Sequence, residues 1–203
     1  IKKEIKNVID CTSPEFDFLI LYWLIEHFDI YSPLEIYTVH ITKIQNKIEG
    51  VHYVELNLSS EESIAKCFES LPEIDVVINN AGQSQMGPAE NISNEKVREI
   101  FEVNFFGTIL LTKMFAQRMR ERGTGKIINV GTLSGSFAMP FQSTYGSSKI
   151  ALTTWSLCLR KEMKPFGVHI TMVEPFYINS GIQLKWTSNT PVSNPSYAGI
   201  GDS

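Results

Sequence analysis

The stretch STYGSSK at 143–149 places a phenol and an amine, Tyr145 and Lys149, four residues apart. On a helix, positions i and i+4 share a face, so the two side chains project together. An ammonium near a phenol favours the phenolate, and each unit by which the tyrosine pKa falls from about 10 is worth roughly 1.4 kcal/mol. A tyrosine tuned in this way is a general acid/base near neutral pH. Taken alone, the spacing also describes an exposed helical pair, and it arises often by chance. Three other segments bear on it. INVGTLSG at 128–135 is a strand opening into hydroxyl and glycine residues. VINNAG at 77–82 is a strand closing on two amides and a glycine. EVNFFGT at 102–108 sets Asn104 inside an apolar helix, where a buried amide needs partners.

The elements that must hold these residues follow from periodicity. Strands are predicted near 5–11, 35–41, 51–56, 74–79, 126–131 and 168–174, several of them short, β-branched and continuous as in strands covered on both faces. Helices are predicted near 14–28, 60–70, 94–122 and 143–164. Ser13-Pro14-Glu15 and SSEES at 59–63 are helix starts. Strands alternating with helices define an α/β chain, a Rossmann-like doubly wound parallel sheet in three α/β/α layers. Ligands in that architecture bind beyond the carboxyl ends of the strands, at the switch point. The loops at 11–15, 79–90, 131–143 and 175–190 are therefore where chemistry is expected.

The 203 residues are read as one domain, with 184–203 as a lid or substrate loop or a truncated end. Net charge is −4, and no Lys/Arg stripe invites nucleic acid or an anionic membrane. Cys11, Cys67 and Cys158 have no metal or disulfide spacing, which suits a reducing cytoplasm, and no metal is expected. The apolar run FLILYWLI at 18–25 is too short to span a bilayer, and nothing after it reads as a signal-peptide cleavage site.

Together, NNAG at 79–82, Asn104, a hydroxyl 13 residues before Tyr145, Y-x-x-x-K and VEP at 173–175 resemble the short-chain dehydrogenase/reductase family in order and spacing. The resemblance covers about Val51 to Ser180. It implies an NAD(P)-dependent oxidoreductase moving hydride between a nicotinamide and a carbonyl or alcohol. Tyr145 would exchange a proton with the substrate oxygen. Lys149 would lower the tyrosine pKa and hold the nicotinamide ribose, and Asn104 would anchor a water in a proton relay. The family's serine position falls on Thr132, with Ser134 as the alternative; spacing favours Thr132. The cofactor would contact Thr12, Ser13, Asn57, Leu58, Asn79, Asn80, Ala81, Gly82, Pro175 and Ser180, besides Tyr145 and Lys149. Ser134, Met139, Phe141 and Phe176 are candidate substrate contacts. With Phe137 and Tyr177 they suggest an apolar pocket for a steroid-, retinoid- or lipid-like molecule, although loop residues packing on the core would look the same. A homo-oligomer, dimer or tetramer, is expected, with the helices at 94–122 and 143–164 pairing across a two-fold axis.

Two departures weigh against this reading. The family's first turn is rich in glycine, which lets backbone approach a pyrophosphate. Here the window is CTSPEFDF at 11–18. Pro14 removes a donor, Glu15 and Asp17 place negative charge in the first turn, and Phe16 and Phe18 add bulk. Phe176 replaces a glycine. Lys43 with His40 could face a 2′-phosphate, tilting the cofactor to NADP(H) over NAD(H), while an exposed loop lysine would look the same. The alternative function is a catalytically weak or inactive relative, acting as a binding or oligomerisation module.

Overall fold

A computed structural model describes residues 7–10, 35–40 and 51–175. Six strands form one sheet: β1 Asn7–Asp10, β2 Glu35–His40, β3 Val51–Glu55, β4 Val76–Asn79, β5 Gly125–Val130 and β6 Val168–Val173. Every pairing is parallel, and the order is β3-β2-β1-β4-β5-β6. Parallel neighbours need crossover connections, and the described crossovers are helical: α1 Glu61–Ser70, α2 Asn94–Phe101, α3 Thr108–Arg122 and α4 Ser143–Met163. α1 packs on α3, α3 on α4 and α2 on α4, which makes one helical layer.

β4 reports what covers the other face. Successive strand residues point to opposite faces, yet Val76, Val77, Ile78 and Asn79 are all buried. The sheet is therefore sandwiched, as expected for a three-layer fold. The helix predicted at 14–28 lies outside the described residues. The core joins Val77, Ile127, Val168 and Ile170 of the sheet to Ile64, Leu111, Phe115 and Met119 of α1 and α3.

The helix ends follow local chemistry. The Ser60 hydroxyl caps α1 by accepting from the Ser63 N–H, and Ser93 caps α2 from Lys96. α3 stops at Gly123, whose φ of 77° is a left-handed conformation that costs glycine little. The long helix expected at 94–122 is a continuous helical run, but it is not all α. Glu102–Gly107 between α2 and α3 is π-helical. Here the Thr108 hydroxyl donates to the carbonyl of Val103, five residues back, at 2.9 Å. Gly107 brings this stretch onto the loop between β3 and α1, where a Cβ would overlap the Leu58 carbonyl.

Candidate active site

β1 lies between β2 and β4, so the chain winds away from it in both directions, and in sheets of this kind ligands bind at that reversal, beyond the strand ends. β4 delivers Asn79–Gly82 there, β5 delivers Thr132, and α4 supplies Tyr145 and Lys149 on one face.

Thr132 caps the short 3₁₀ turn Leu133–Gly135, its hydroxyl accepting from the Ser134 N–H at 3.2 Å. Burial raises the Tyr145 pKa above its ordinary value, and the nearby Thr132 hydroxyl offsets part of that rise. Thr132, rather than Ser134, is thus the hydroxyl that acts on the phenol. Lys149 is 4% exposed and donates to the Val130 carbonyl at 2.8 Å. Burial disfavours its ammonium and lowers its pKa to about 8. The expectation that Lys149 draws the phenol towards neutrality therefore meets a different balance here: desolvation acts on both groups and favours their neutral forms.

Asn104, on the π-helical stretch, is fully buried and clamped. Its Oδ1 accepts from the Gln83 N–H at 2.7 Å, and its Nδ2 donates to the Gln83 carbonyl at 2.8 Å and to the Ser148 hydroxyl at 3.0 Å. Ser148 in turn donates to the Tyr145 carbonyl at 2.7 Å. Asn104 thus ties the NNAG loop to the helix that carries the tyrosine. A Cβ on Gly82 would sit 3.2 Å from Lys149 Nζ and 3.3 Å from Asn104 Oδ1, so the glycine is what lets both groups approach.

The two asparagines of NNAG differ. Asn79 Nδ2 donates to Asn129 Oδ1 at 2.7 Å and to Thr112 Oγ1 at 2.9 Å, and Asn129 continues to Ser156 at 2.7 Å. Its amide is directed into the core, where it ties β4 to β5 and α3. Asn80 Nδ2 is buried without a protein partner. Asn57 Oδ1 is taken by the Ser59 N–H at 2.9 Å, Leu58 is buried, and Ala81 is partly buried against the core. The Pro175 carbonyl accepts from the Leu133 N–H at 3.1 Å, which places it beside the Thr132 loop. Met139 and Phe137 are exposed on the segment before α4. Ala138 and Phe141 there take left-handed φ values of 49° and 66°. Thr12, Ser13, Phe176 and Ser180 lie outside the described residues, as do the glycine-free turn and Lys43. Sequence reasoning missed Ser148, although it lies one helical turn from Tyr145. It also missed Ser84 and Gln142, each with a buried polar atom that lacks a protein partner.

A family model described as short chain dehydrogenase matches residues 36–191, and the chain belongs to that family of α/β oxidoreductases. The uncharacterized oxidoreductase YusZ of Bacillus subtilis is 35% identical over 158 residues, which are 75% of this chain and 56% of that protein. The ketoacyl reductase HetN of a Nostoc species is 39% identical over 127 residues, 63% of this chain and 43% of HetN. The chain thus spans about half the length of these relatives. Among solved structures, a short-chain dehydrogenase from Burkholderia cenocepacia in complex with NADP aligns with a TM-score of 0.77 and 25% identity, covering 90% of this chain and 76% of that one.

The described residues fit the nicotinamide end of such a cofactor. Asn80 offers a buried, unpartnered donor at the switch point, and Lys149 offers an amine. Among the described residues no cluster of three His, Cys, Asp or Glu side chains could hold a metal, and no helix is long and apolar enough to cross a membrane.

Proposed function

We propose that the protein is an NAD(P)-dependent oxidoreductase acting on a carbonyl or alcohol, with Tyr145 exchanging the proton on the substrate oxygen. The observation that carries this reading is Tyr145 and buried Lys149 on one helix that is locked to the NNAG loop through Ser148 and Asn104, with the Thr132 hydroxyl acting on the phenol. Thr132 orients the phenol towards the same oxygen, and Asn104 and Ser148 fix the tyrosine's backbone. Asn80 and Lys149 would hold the nicotinamide riboside, which supplies or receives hydride when bound. A phenol kept protonated by burial suits donation to a carbonyl, the reductive direction. The ketoacyl reductase among the relatives supports a carbonyl substrate, and Phe137 and Met139 support an apolar body on it. NADP(H) is favoured over NAD(H) by Lys43 in the sequence after β2. The absence of disulfide or metal spacing among the cysteines supports a cytoplasmic location.

A second reading is a binding or oligomerisation module with weak or no catalysis. It is favoured by the glycine-free window at 11–18 and by the raised Tyr145 pKa. Titration with NADPH and NADH, followed by cofactor fluorescence, separates the two. The enzyme reading expects saturable binding below millimolar cofactor, and no binding at that level selects the module. With binding established, Tyr145→Phe is expected to lower kcat at least about 100-fold with little change in cofactor affinity, since general acid catalysis contributes about that much or more.

A further inference from the structure

A line of buried hydrogen bonds runs from the sheet to the π-helical turn that carries Asn104. The Asn79 amide nitrogen has two hydrogens, and both are engaged: one meets Asn129 Oδ1 at 2.7 Å, the other Thr112 Oγ1 at 2.9 Å. The Thr112 hydroxyl passes its own proton to the Thr108 carbonyl at 2.7 Å. The Thr108 hydroxyl donates in turn to the Val103 carbonyl at 2.9 Å. Both threonines are buried. At the other end of the line, Asn129 Nδ2 donates to the Ser156 hydroxyl on α4 at 2.7 Å. Asn104, next to Val103, returns to α4 through Ser148. The turn is thus held in a closed circuit of bonds that passes through α3, β4, β5 and α4.

Thr108 stands where the wide turn ends. Its backbone N–H bonds the Phe105 carbonyl, three residues back, and its hydroxyl the Val103 carbonyl, five back. Neither spacing is that of an α-helix, in which the partner lies four residues back. Threonine is a weak helix former, so two of them buried within one helical run ask for a reason beyond propensity. One residue of winding turns a helix by about 100°. A turn that relaxed to α would therefore swing Asn104 off the Gln83 backbone or rotate α3 away from the sheet. We infer that Thr108 and Thr112 are positioning residues: they brace the π turn against β4 and so hold the Asn104 amide on the loop after β4, beside Lys149. The consequence for catalysis rests on the oxidoreductase reading above, whereas the placement of Asn104 is measurable without turnover.

The test is hydrogen exchange of single backbone amides, read by NMR on the full chain without ligand. The Gln83 N–H, whose acceptor is Asn104 Oδ1, reports the clamp, and the Ile127 and Ile128 amides of β5 report the sheet. Thr108→Val keeps the shape of the side chain and removes the hydroxyl, and Thr108→Ser keeps the hydroxyl. Thr108→Val is expected to exchange at Gln83 on the order of tenfold faster than wild type, with Ile127 and Ile128 unchanged. Thr108→Ser is expected to restore the wild-type Gln83 rate. Thr112→Val breaks the same brace one turn further on and is expected to accelerate Gln83 by a smaller factor, which keeps the comparison decisive should Thr108→Val not fold. A Gln83 rate unchanged in the folded valine variants overturns the inference. So does equal acceleration at Gln83, Ile127 and Ile128, which would mark a general loosening, and so does a serine variant that behaves as the valine one. The cofactor titration judges the oxidoreductase reading separately, so the failure of one is distinct from the failure of the other.

Discussion

Lys149 holds its amine where water does not reach, with the Val130 carbonyl as its partner. Its folded pKa is about 8 against 10.5 in an unperturbed chain. Between those values the unfolded chain keeps a proton that the folded chain has released. Stability therefore rises with pH across that window, and the burial penalty is present in full below about pH 8. The gain attributable to this one residue is about 2 to 3 kcal/mol, at roughly 1.4 kcal/mol per unit. Denaturant titrations of wild type and Lys149→Met at pH 7 and pH 10 should show wild type gaining that much relative to the variant. A constant difference would mean that the amine is solvated. At this scale the sequence was legible where chemistry has a fixed spacing: Tyr145, Lys149, Asn104 and Thr132 converge as their positions imply. It was illegible where meaning lies in a missing partner. Ser84 and Gln142 are unremarkable polar residues in a string, and only the packed chain shows that nothing answers them.

The elements carry a different tension. Apolar spacing continues from Val97 through Phe115, so periodicity reads a single helix at 94–122. It does not register the wider turn at Glu102–Gly107, because its cause is tertiary: Asn104 reaches the Gln83 backbone, and Gly107 meets Leu58. π-Helical turns recur at functional sites, and here one aims the clamping amide. Gly107→Ala would improve helix propensity in isolation. In this fold the added methyl collides with the Leu58 backbone, which cannot swing aside as a side chain can. The variant is expected to lose about 2 kcal/mol, the scale of overpacking in a close-packed site, read as a lower urea midpoint. An unchanged midpoint would show that the loop before α1 yields freely. The strands were the most legible elements, since β-branched runs such as Val76–Ile78 leave little choice between strand and solvent.

For the whole molecule, the large apolar side chains exposed among the described residues include Phe106 at 50% and Leu157 at 44% exposure. They lie on the two helical runs expected to pair across a two-fold axis. Phe106→Glu should convert a dimer to a monomer in light scattering coupled to size exclusion, with the fold retained by circular dichroism. A wild-type protein that is monomeric at tens of micromolar would remove that assembly.

The strand order also dictates when the molecule can exist. β1, the earliest strand among the described residues, occupies the middle of the sheet, paired with β2 from Asn7 to Asp10 and with β4 from Val8 to Asp10. On a ribosome it emerges before either neighbour and must wait more than sixty residues for the second, Val76–Ile78. In that interval its unpaired edge is open to other chains, and closing the sheet carries the loop entropy of a distant contact. Late closure of the sheet is thus written into the same topology that sets β1 between its two neighbours.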